Sequence, residues 1–446
     1  MSILKSIYEE AILQSYDLNR TVEITNGIIS FDYYEDIFSP TITAKMKVMS
    51  AGNVIDSERD GYNQSIYNGL PLRGGERLSL KVAGNSRTNP GLDFTNPRDY
   101  LYVSGISDVI TESQRESFTL NFVSREAVTN ETSRVTRKYP TSSSIDQSVT
   151  SILTDYLKTE NIGIIEKTSN PYGFIGNLRK PFTVLVWLAA KSVPTISGSA
   201  TAGFVFYQTK DGFQFRSIDG LAQQKPKFTY QYSGSNISYD QEDKKINNDF
   251  KILNYHAEKN QNLVEKLRLG TYASQRMFFN PLNFSLTQPE RGNFKLEDYA
   301  EKTKNLGRDI NLPPVSEGSD KTLGDLPSRI ITAIFDIGTF EKDSGKYKDV
   351  NSNPELNQSQ ALMRYNTLLT QSVNMIVSSN TNLRAGDVIE CLFPIVTQSD
   401  ENVYDPETSG LYMIKELCHH FDTERSYTSM KLVRDTFGVN TEARTE

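Results

Sequence analysis

Little in this sequence is equipped for covalent or metal chemistry. The chain has two cysteines, Cys391 and Cys418, three histidines and a single tryptophan. Two cysteines cannot build a disulfide framework. We read them as reduced core residues rather than a bridge, which fits synthesis in a reducing cytoplasm. Long apolar runs are missing as well. The longest, near Phe182 to Ala190, is too short to span a bilayer, and Met1-Ser2-Ile3-Leu4-Lys5 lacks the apolar stretch and cleavage site of a signal peptide. No membrane insertion is expected, and the chain reads as a soluble product. Basic runs are absent too. The formal charge is −7, and without clustered Lys and Arg a surface cannot neutralise a row of phosphates. A net negative surface repels DNA.

What is plentiful is aromatic. Tyr and Phe number 23 and 22 in 446 residues, so most of the chain should fold. Ile42, Ala44, Met46 and Val48 alternate with Thr43, Lys45 and Lys47, the period of a half-buried strand. Leu78, Leu80 and Val82 repeat the pattern, as do Phe118, Leu120 and Phe122. Turn formers such as Asn85-Ser86-Arg87-Thr88-Asn89-Pro90-Gly91 separate them. Closing such strands into a barrel would remove exposed edges.

After Ser124 the period changes. Ile145, Val149, Ile152, Leu153, Tyr156 and Leu157 share one helical face, with Ser144 and Gln147 as a capping box. A second helix starts at Pro181 and is apolar nearly all round, so it should be buried. A hairpin follows, Phe204-Val205-Phe206-Tyr207 and Phe213-Gln214-Phe215 around Lys210-Asp211-Gly212. Strands resume with Phe250-Lys251-Ile252 and Arg276-Met277-Phe278-Phe279, and again after a short helix carrying Leu362, Tyr365 and Leu369. The expected fold is mainly β with α+β insertions, built on two similar antiparallel, tube-like β-barrel modules. The divisions are a first barrel module over 1–125, an α+β domain over 126–222, the first part of a second barrel module over 223–285, an irregular insertion over 286–357, and completion of the second module over 358–446.

The most informative feature is an internal repeat. Leu72-Arg73-Gly74-Gly75-Glu76-Arg77-Leu78 resembles Leu383-Arg384-Ala385-Gly386-Asp387-Val388-Ile389. The repeat motif therefore comprises Leu72, Gly75, Glu76 and Leu78 in one copy, and Leu383, Gly386, Asp387 and Ile389 in the other. Leu72 and Val123 are 51 positions apart, Leu383 and Val433 are 50 apart, and Leu120 and Phe122 match Met430 and Leu432 in phase. A one-residue slip would turn every side chain over, so preserved phase favours duplication over two unrelated meanders. Each glycine permits a positive-φ turn before a strand, and the acid after it is expected on the solvent side. Arg73-Gly74-Gly75 is not a phosphate loop, since it lacks the following Lys-Ser/Thr and precedes a strand.

Candidate chemistry is sparse. His419 and His420 are adjacent, so on a strand their rings point to opposite faces and make poor co-ligands. In the repeat, Cys418, His419 and His420 correspond to Ser107, Asp108 and Val109. His256 stands apart from both. No Gly-x-Ser-x-Gly motif is present. Asp32, Glu35 and Asp36 lie among aromatics and read as the exposed face and end of a strand, with a sugar-binding cleft as the alternative. No catalytic, cofactor or metal residues are assigned.

The stretch Ile24 to Pro40, containing Phe31-Asp32-Tyr33-Tyr34-Glu35-Asp36-Ile37-Phe38-Ser39-Pro40, resembles the opening strands of baseplate hub subunits of T-even-type contractile-tailed bacteriophages. Phe204 to Ser217 and the closing Leu432-Val433-Arg434-Asp435 resemble the same family. The resemblance implies a non-enzymatic homotrimer in the virion tail baseplate, a hollow adaptor between a sixfold tail tube and a threefold spike. The implied partners are the tail tube protein, the central spike protein and baseplate wedge proteins, with genome DNA passing through without specific binding. Two modules in each of three chains would reconcile the two symmetries. A cell-wall hydrolase at the tail tip and the hub of a non-viral injection system are the alternatives.

Overall fold

Alternation along the strands fixes which face of each is buried, and the strands so marked assemble into one large sheet. The computed structural model describes residues 4–51, 55–56, 63–70, 72–86, 89–195, 201–232, 248–258, 262–281, 284–299, 303–335, 354–395 and 404–438. Arg87 and Thr88 of the first turn cluster, and residues 300–302 and 336–353 of the 286–357 insertion, lie outside the described residues.

The chain is mainly β. Its largest sheet has fourteen strands, numbered here in chain order. The N-terminal set is β1 (Tyr8–Gln14), β2 (Thr21–Glu23), β3 (Ile28–Asp36), β4 (Thr43–Ala51), β5 (Arg77–Ala83), β6 (Gly91–Asp93), β7 (Leu101–Thr111) and β8 (Arg115–Val123). The C-terminal set is β9 (Thr229–Gln231), β10 (Ile252–Glu258), β11 (Gln371–Ser378), β12 (Val388–Leu392), β13 (Gly410–Asp422) and β14 (Ser426–Arg434). The order is β10-β11-β14-β13-β3-β4-β8-β7-β5-β1-β2, with β6 beside β5, β12 beside β13 and β9 beside β12.

That path is open. Among the described residues it does not return on itself, so two separate closed barrels are not what the sheet forms; the two halves share a ladder through β3 and β13. Within each half the order is the same. β5-β7-β8-β4-β3 in the first half corresponds to β12-β13-β14-β11-β10 in the second. The irregularities match as well. A bulge interrupts β7 between Val103 and Gly105 and β13 between Ile414 and Glu416. Another interrupts β3 between Ile28 and Ser30 and β10 between Ile252 and Asn254. A bulge adds one residue and bends its strand, so the two halves bend at corresponding places.

Each half buries one face. Phe31, Tyr33, Met46, Val48, Leu78, Leu120 and Phe122 pack in the first core, which Phe421 of β13 also enters. Val373, Met375, Ile389, Tyr412, Ile414 and Leu432 form the second.

Between the sets lies an α+β unit. Helices α1 (Ile145–Asp155) and α2 (Pro181–Ala189) pack on a three-stranded sheet that includes the hairpin Phe204–Thr209 and Gly212–Ser217. Ser144 precedes α1 but makes no capping bond to it; its hydroxyl goes to the Asp146 carboxylate instead. The helix stops at Asp155, so Tyr156 and Leu157 follow it. Contrary to expectation, α2 is not buried all round, because Val186 and Trp187 are about half open on one side. Phe250 belongs to a 3-10 turn and the strand begins at Ile252. Arg276 to Phe279 falls in a separate four-stranded sheet with Arg329–Ile334, which straddles the boundary expected at residue 285.

The helix expected around Leu362 is longer than the sequence suggested, α3 (Pro354–Leu368). It carries the buried cation Arg364, which bridges Asp219 at 2.8 Å and Asp435 at 3.3 Å with all three side chains 1% exposed. Lys304 O and the Asp435 carboxylate accept further bonds nearby, from Arg364 and from Leu306 N respectively. Desolvating three charges is expensive, and removing one partner strands the others. Arg364→Ala should therefore destabilise the chain by about 3–5 kcal/mol, read as a lowered urea midpoint at unchanged slope.

Candidate functional site

The two glycine turns adopt one geometry. Gly75 and Gly386 have φ of +90° and +89°, values that disfavour a side chain. Gly75 N donates to Val103 O at 2.7 Å, and Gly386 N to Ile414 O at 2.8 Å. In return, Val103 N donates to Glu76 O and Ile414 N to Asp387 O, both at 2.9 Å. Leu78 faces Leu101 in register, and Ile389 faces Tyr412. Leu78, Leu383 and Ile389 are fully buried, while Leu72 packs against the first core from its margin.

The acid after Gly75 turns inward rather than to solvent, whereas Asp387 after Gly386 is half-buried and also pairs with Lys227 Nζ at 3.0 Å. Glu76 is completely buried, and its carboxylate accepts from Arg73 N at 2.6 Å and from Gly74 N at 3.0 Å. An acid here caps its own turn, because the backbone N–H groups of a tight bend need acceptors. Asp387, one methylene shorter, accepts from Arg384 N at 2.8 Å. The next amide, Ala385 N, donates instead to Glu35 Oε2 at 2.8 Å.

Glu35 is therefore a junction residue, and it is 2% exposed. Its other oxygen accepts from Lys210 N of the α+β hairpin at 2.8 Å and from the Tyr33 hydroxyl at 3.0 Å. Burial pushes the carboxyl above its ordinary value, and the Arg384 guanidinium offsets this in part. Arg384 also forks onto Asp211 in the same hairpin, at 3.0 and 3.2 Å. β3, the hairpin and the second turn thus meet at one carboxylate. The expectation that Glu35 lies on an exposed face is wrong. Strand period puts it with Phe31 and Tyr33 on the buried side, while Asp32 and Asp36 keep the open side.

The ladder joining the halves runs from Glu416 opposite Asp36 to Asp422 opposite Ser30. Here the two adjacent histidines do point to opposite faces. His419 is fully buried, with Nδ1 at 3.1 Å from the Thr428 hydroxyl, and burial lowers its pKa to about 3. His420 is half-buried between Asp32 at 2.5 Å and Asp422 at 3.2 Å. The bond to Asp32 raises its pKa above the ordinary 6.5. By strand register His420, opposite Tyr427, matches Ile110, opposite Ser117. The sequence match to Val109 misses a second bulge in β7, between Ser107 and Ile110. Cys418 is half-buried beside Asp32 rather than a core residue, and burial pushes its thiol up to about 12; Cys391 is buried. His256, exposed on β10, is remote in sequence from this ladder.

These groups do not converge as reacting groups would. Asp32 and Glu35 face opposite sides of one strand, so they cannot flank a common bond. Among the described residues no three His, Cys, Asp or Glu side chains are grouped to hold a metal ion. What the ladder builds is a half-exposed sheet face. Lys45, Lys47 and Lys431 share it with Asp32 and Glu416, among neutral residues such as Thr119 and Asn121.

The whole chain has the fold of phage tail proteins. It is similar to the tail protein from Neisseria meningitidis MC58, with a TM-score of 0.50 and 9% identity over 96% of this chain and 97% of that one. It is also similar to the 43 kDa tail protein of prophage MuSo2 from Shewanella oneidensis, with a TM-score of 0.50 and 7% identity over 96% and 98%. No family model matches the sequence, and no curated protein does.

Two outcomes follow for the junction. In either orientation Glu35→Gln turns its amide NH2 towards a backbone N–H, of Lys210 or of Ala385, and should cost about 1–3 kcal/mol by chemical denaturation. The histidines should act in opposite senses. His420 stabilises the fold below pH 6.5 and loses that contribution as pH rises through its elevated folded value. His419 stays neutral when folded, so stability falls as pH drops from 6.5 towards 3, where only the unfolded state takes the proton. NMR titration should find one ring midpoint above 6.5 and one ring that does not titrate above pH 4.

Proposed function

We propose that this chain is a structural component of a phage-type tail, acting as a trimeric hub adaptor between a sixfold tail tube and a threefold spike. The observation that carries the reading is the repeated strand order. One chain holds two five-strand units with the same order, two bulges at matching places and the same glycine turn, joined through the ladder of β3 with β13. A chain with two equivalent units presents two similar surfaces per copy, so three copies offer six, which is what a symmetry adaptor needs. The residues of the glycine turns then act as the repeated structural element, Leu72, Gly75, Glu76 and Leu78 in one unit and Leu383, Gly386, Asp387 and Ile389 in the other.

The fold shared with tail proteins supports the same reading. So does the half-exposed sheet face, which suits the wall of a DNA conduit. Its lysines stand beside acids and neutral amides and hydroxyls, and mixed charge gives a passing duplex few phosphate grips. In this reading the chain binds the spike and tube proteins and has no catalytic role.

Light scattering should give the mass of a trimer. A titration with duplex DNA at low salt should show weak binding, and the pure chain should leave peptidoglycan intact. Tight, salt-sensitive DNA binding, or cleavage abolished by changing one acid, would overturn the adaptor reading.

A further inference from the structure

Resting on the adaptor reading, we propose the strand edges through which copies join and the register of the joint: β7 from Ser107 onward pairs antiparallel with β10 of a second copy. The argument is internal to the chain. Inside one molecule the second strand of the C-terminal unit, β13, pairs through its later half with the last strand of the N-terminal unit, β3. The corresponding strand of the N-terminal unit is β7, and that of the C-terminal unit is β10. Applying the same joint between molecules therefore brings β7 of one copy to β10 of the next.

Both edges are available. β7 pairs with β5 only at Leu101 and Tyr102, so beyond the bulge at Ser104 its outer edge has no strand partner among the described residues. Among the described residues β10 pairs with β11 alone along Ile252 to Glu258. Apolar side chains sit exposed on both strands, with Ile110 58%, Val109 41% and Leu253 38% exposed. Exposed strand edges template pairing, and natural proteins cover or charge them. The joint is head-to-tail, since two different edges meet, and such a joint closes into a ring or grows into a filament. It leaves both edges filled in every copy of a closed trimer.

The register follows from the matched bulges. Phe31, Asp32 and Tyr34 correspond to Tyr255, His256 and Glu258, because each lies the same number of positions after its bulge and faces an equivalent residue on the next strand. Cys418, His420 and Phe421 correspond to Ser107, Ile110 and Thr111. Inside the chain Cys418 faces Tyr34, His420 faces Asp32 and Phe421 faces Phe31. Between copies Ser107 therefore faces Glu258, Ile110 faces His256 and Thr111 faces Tyr255. The internal ion pair of His420 with Asp32 is replaced by a contact between Ile110 and His256, so the joint between copies is less salt-sensitive than the joint within one.

Cysteine pairs test the register on the full chain, in a Cys418→Ser background. Directly opposed residues that are not hydrogen-bonded to each other approach closely enough for a disulfide. Adjacent register positions alternate, so Ile110→Cys/His256→Cys and Thr111→Cys/Tyr255→Cys are made in parallel. Mild oxidation should convert one of the two from monomer to covalent dimer and trimer, with loss of the monomer band. The off-register pair Ser107→Cys/Asn254→Cys should keep its monomer band. Hydrogen exchange of the unmodified protein adds a second readout, with slowed amides at 107–112 and 254–258 in the assembled state and fast ones on dilution to monomer. A trimer by mass in which neither pair cross-links and both edges exchange fast overturns the register and leaves the adaptor reading standing. A chain that stays monomeric at every concentration, without cross-links, overturns both.

Discussion

How the α+β hairpin and the second glycine turn sit against β3 depends on one buried carboxylate. Glu35 lies one residue before the end of β3, and its two oxygens are filled by amides of the α+β hairpin and the second glycine turn, together with the Tyr33 hydroxyl. A buried charge is tolerated only where donors converge on it. Three remote stretches of chain therefore have to arrive together, and none can shift without leaving an unsatisfied group behind. Arg384 strengthens the same joint from outside through its fork onto Asp211. Arg364 does the equivalent work on the far side of the hairpin, tying α3 to Asp219 and Asp435.

The two copies of the glycine turn show how a repeat diverges under this constraint. Glu76 is long enough to satisfy two amides of its own turn, so that turn is self-contained. Asp387 reaches one amide and leaves the next for Glu35. Gly386 is also hemmed in by Tyr207, whose hydroxyl would meet an added Cβ at 2.3 Å, whereas nothing lies within 4 Å of the same position at Gly75. A difference of one methylene thus separates a free-standing turn from one docked against another unit.

Much of this was legible in the sequence, and the misses have physical causes. Period-two alternation located β4, β5 and β8, and phase kept across loops located the repeat. Alternation also held the answer for Glu35, since Phe31, Tyr33, Glu35 and Ile37 lie on one side of the strand. Treating acids as exposed by default hid it. The joining of the halves into one sheet was not legible, because pairing between β3 and β13 leaves no local signature. Trp187 and Val186 stand open because α2 presents only one side to the hairpin, and an all-apolar helix gives no sign of which side that is.

The ladder between β3 and β13 has a consequence in time. Asp32 and His420 are 388 positions apart, so β3 emerges from the ribosome long before its partner exists. At typical synthesis rates the interval is on the order of 20–80 s. Through it, the N-terminal unit holds a bare edge, and its core lacks the ring of Phe421. Non-local pairing of this kind is slow and exposes the nascent chain to wrong partners. The nearest wrong partner is β13 of a sister chain on the same message, whose pairing would be chemically indistinguishable from the right one. Self-association before completion is thus the chief hazard of synthesis for a protein built this way.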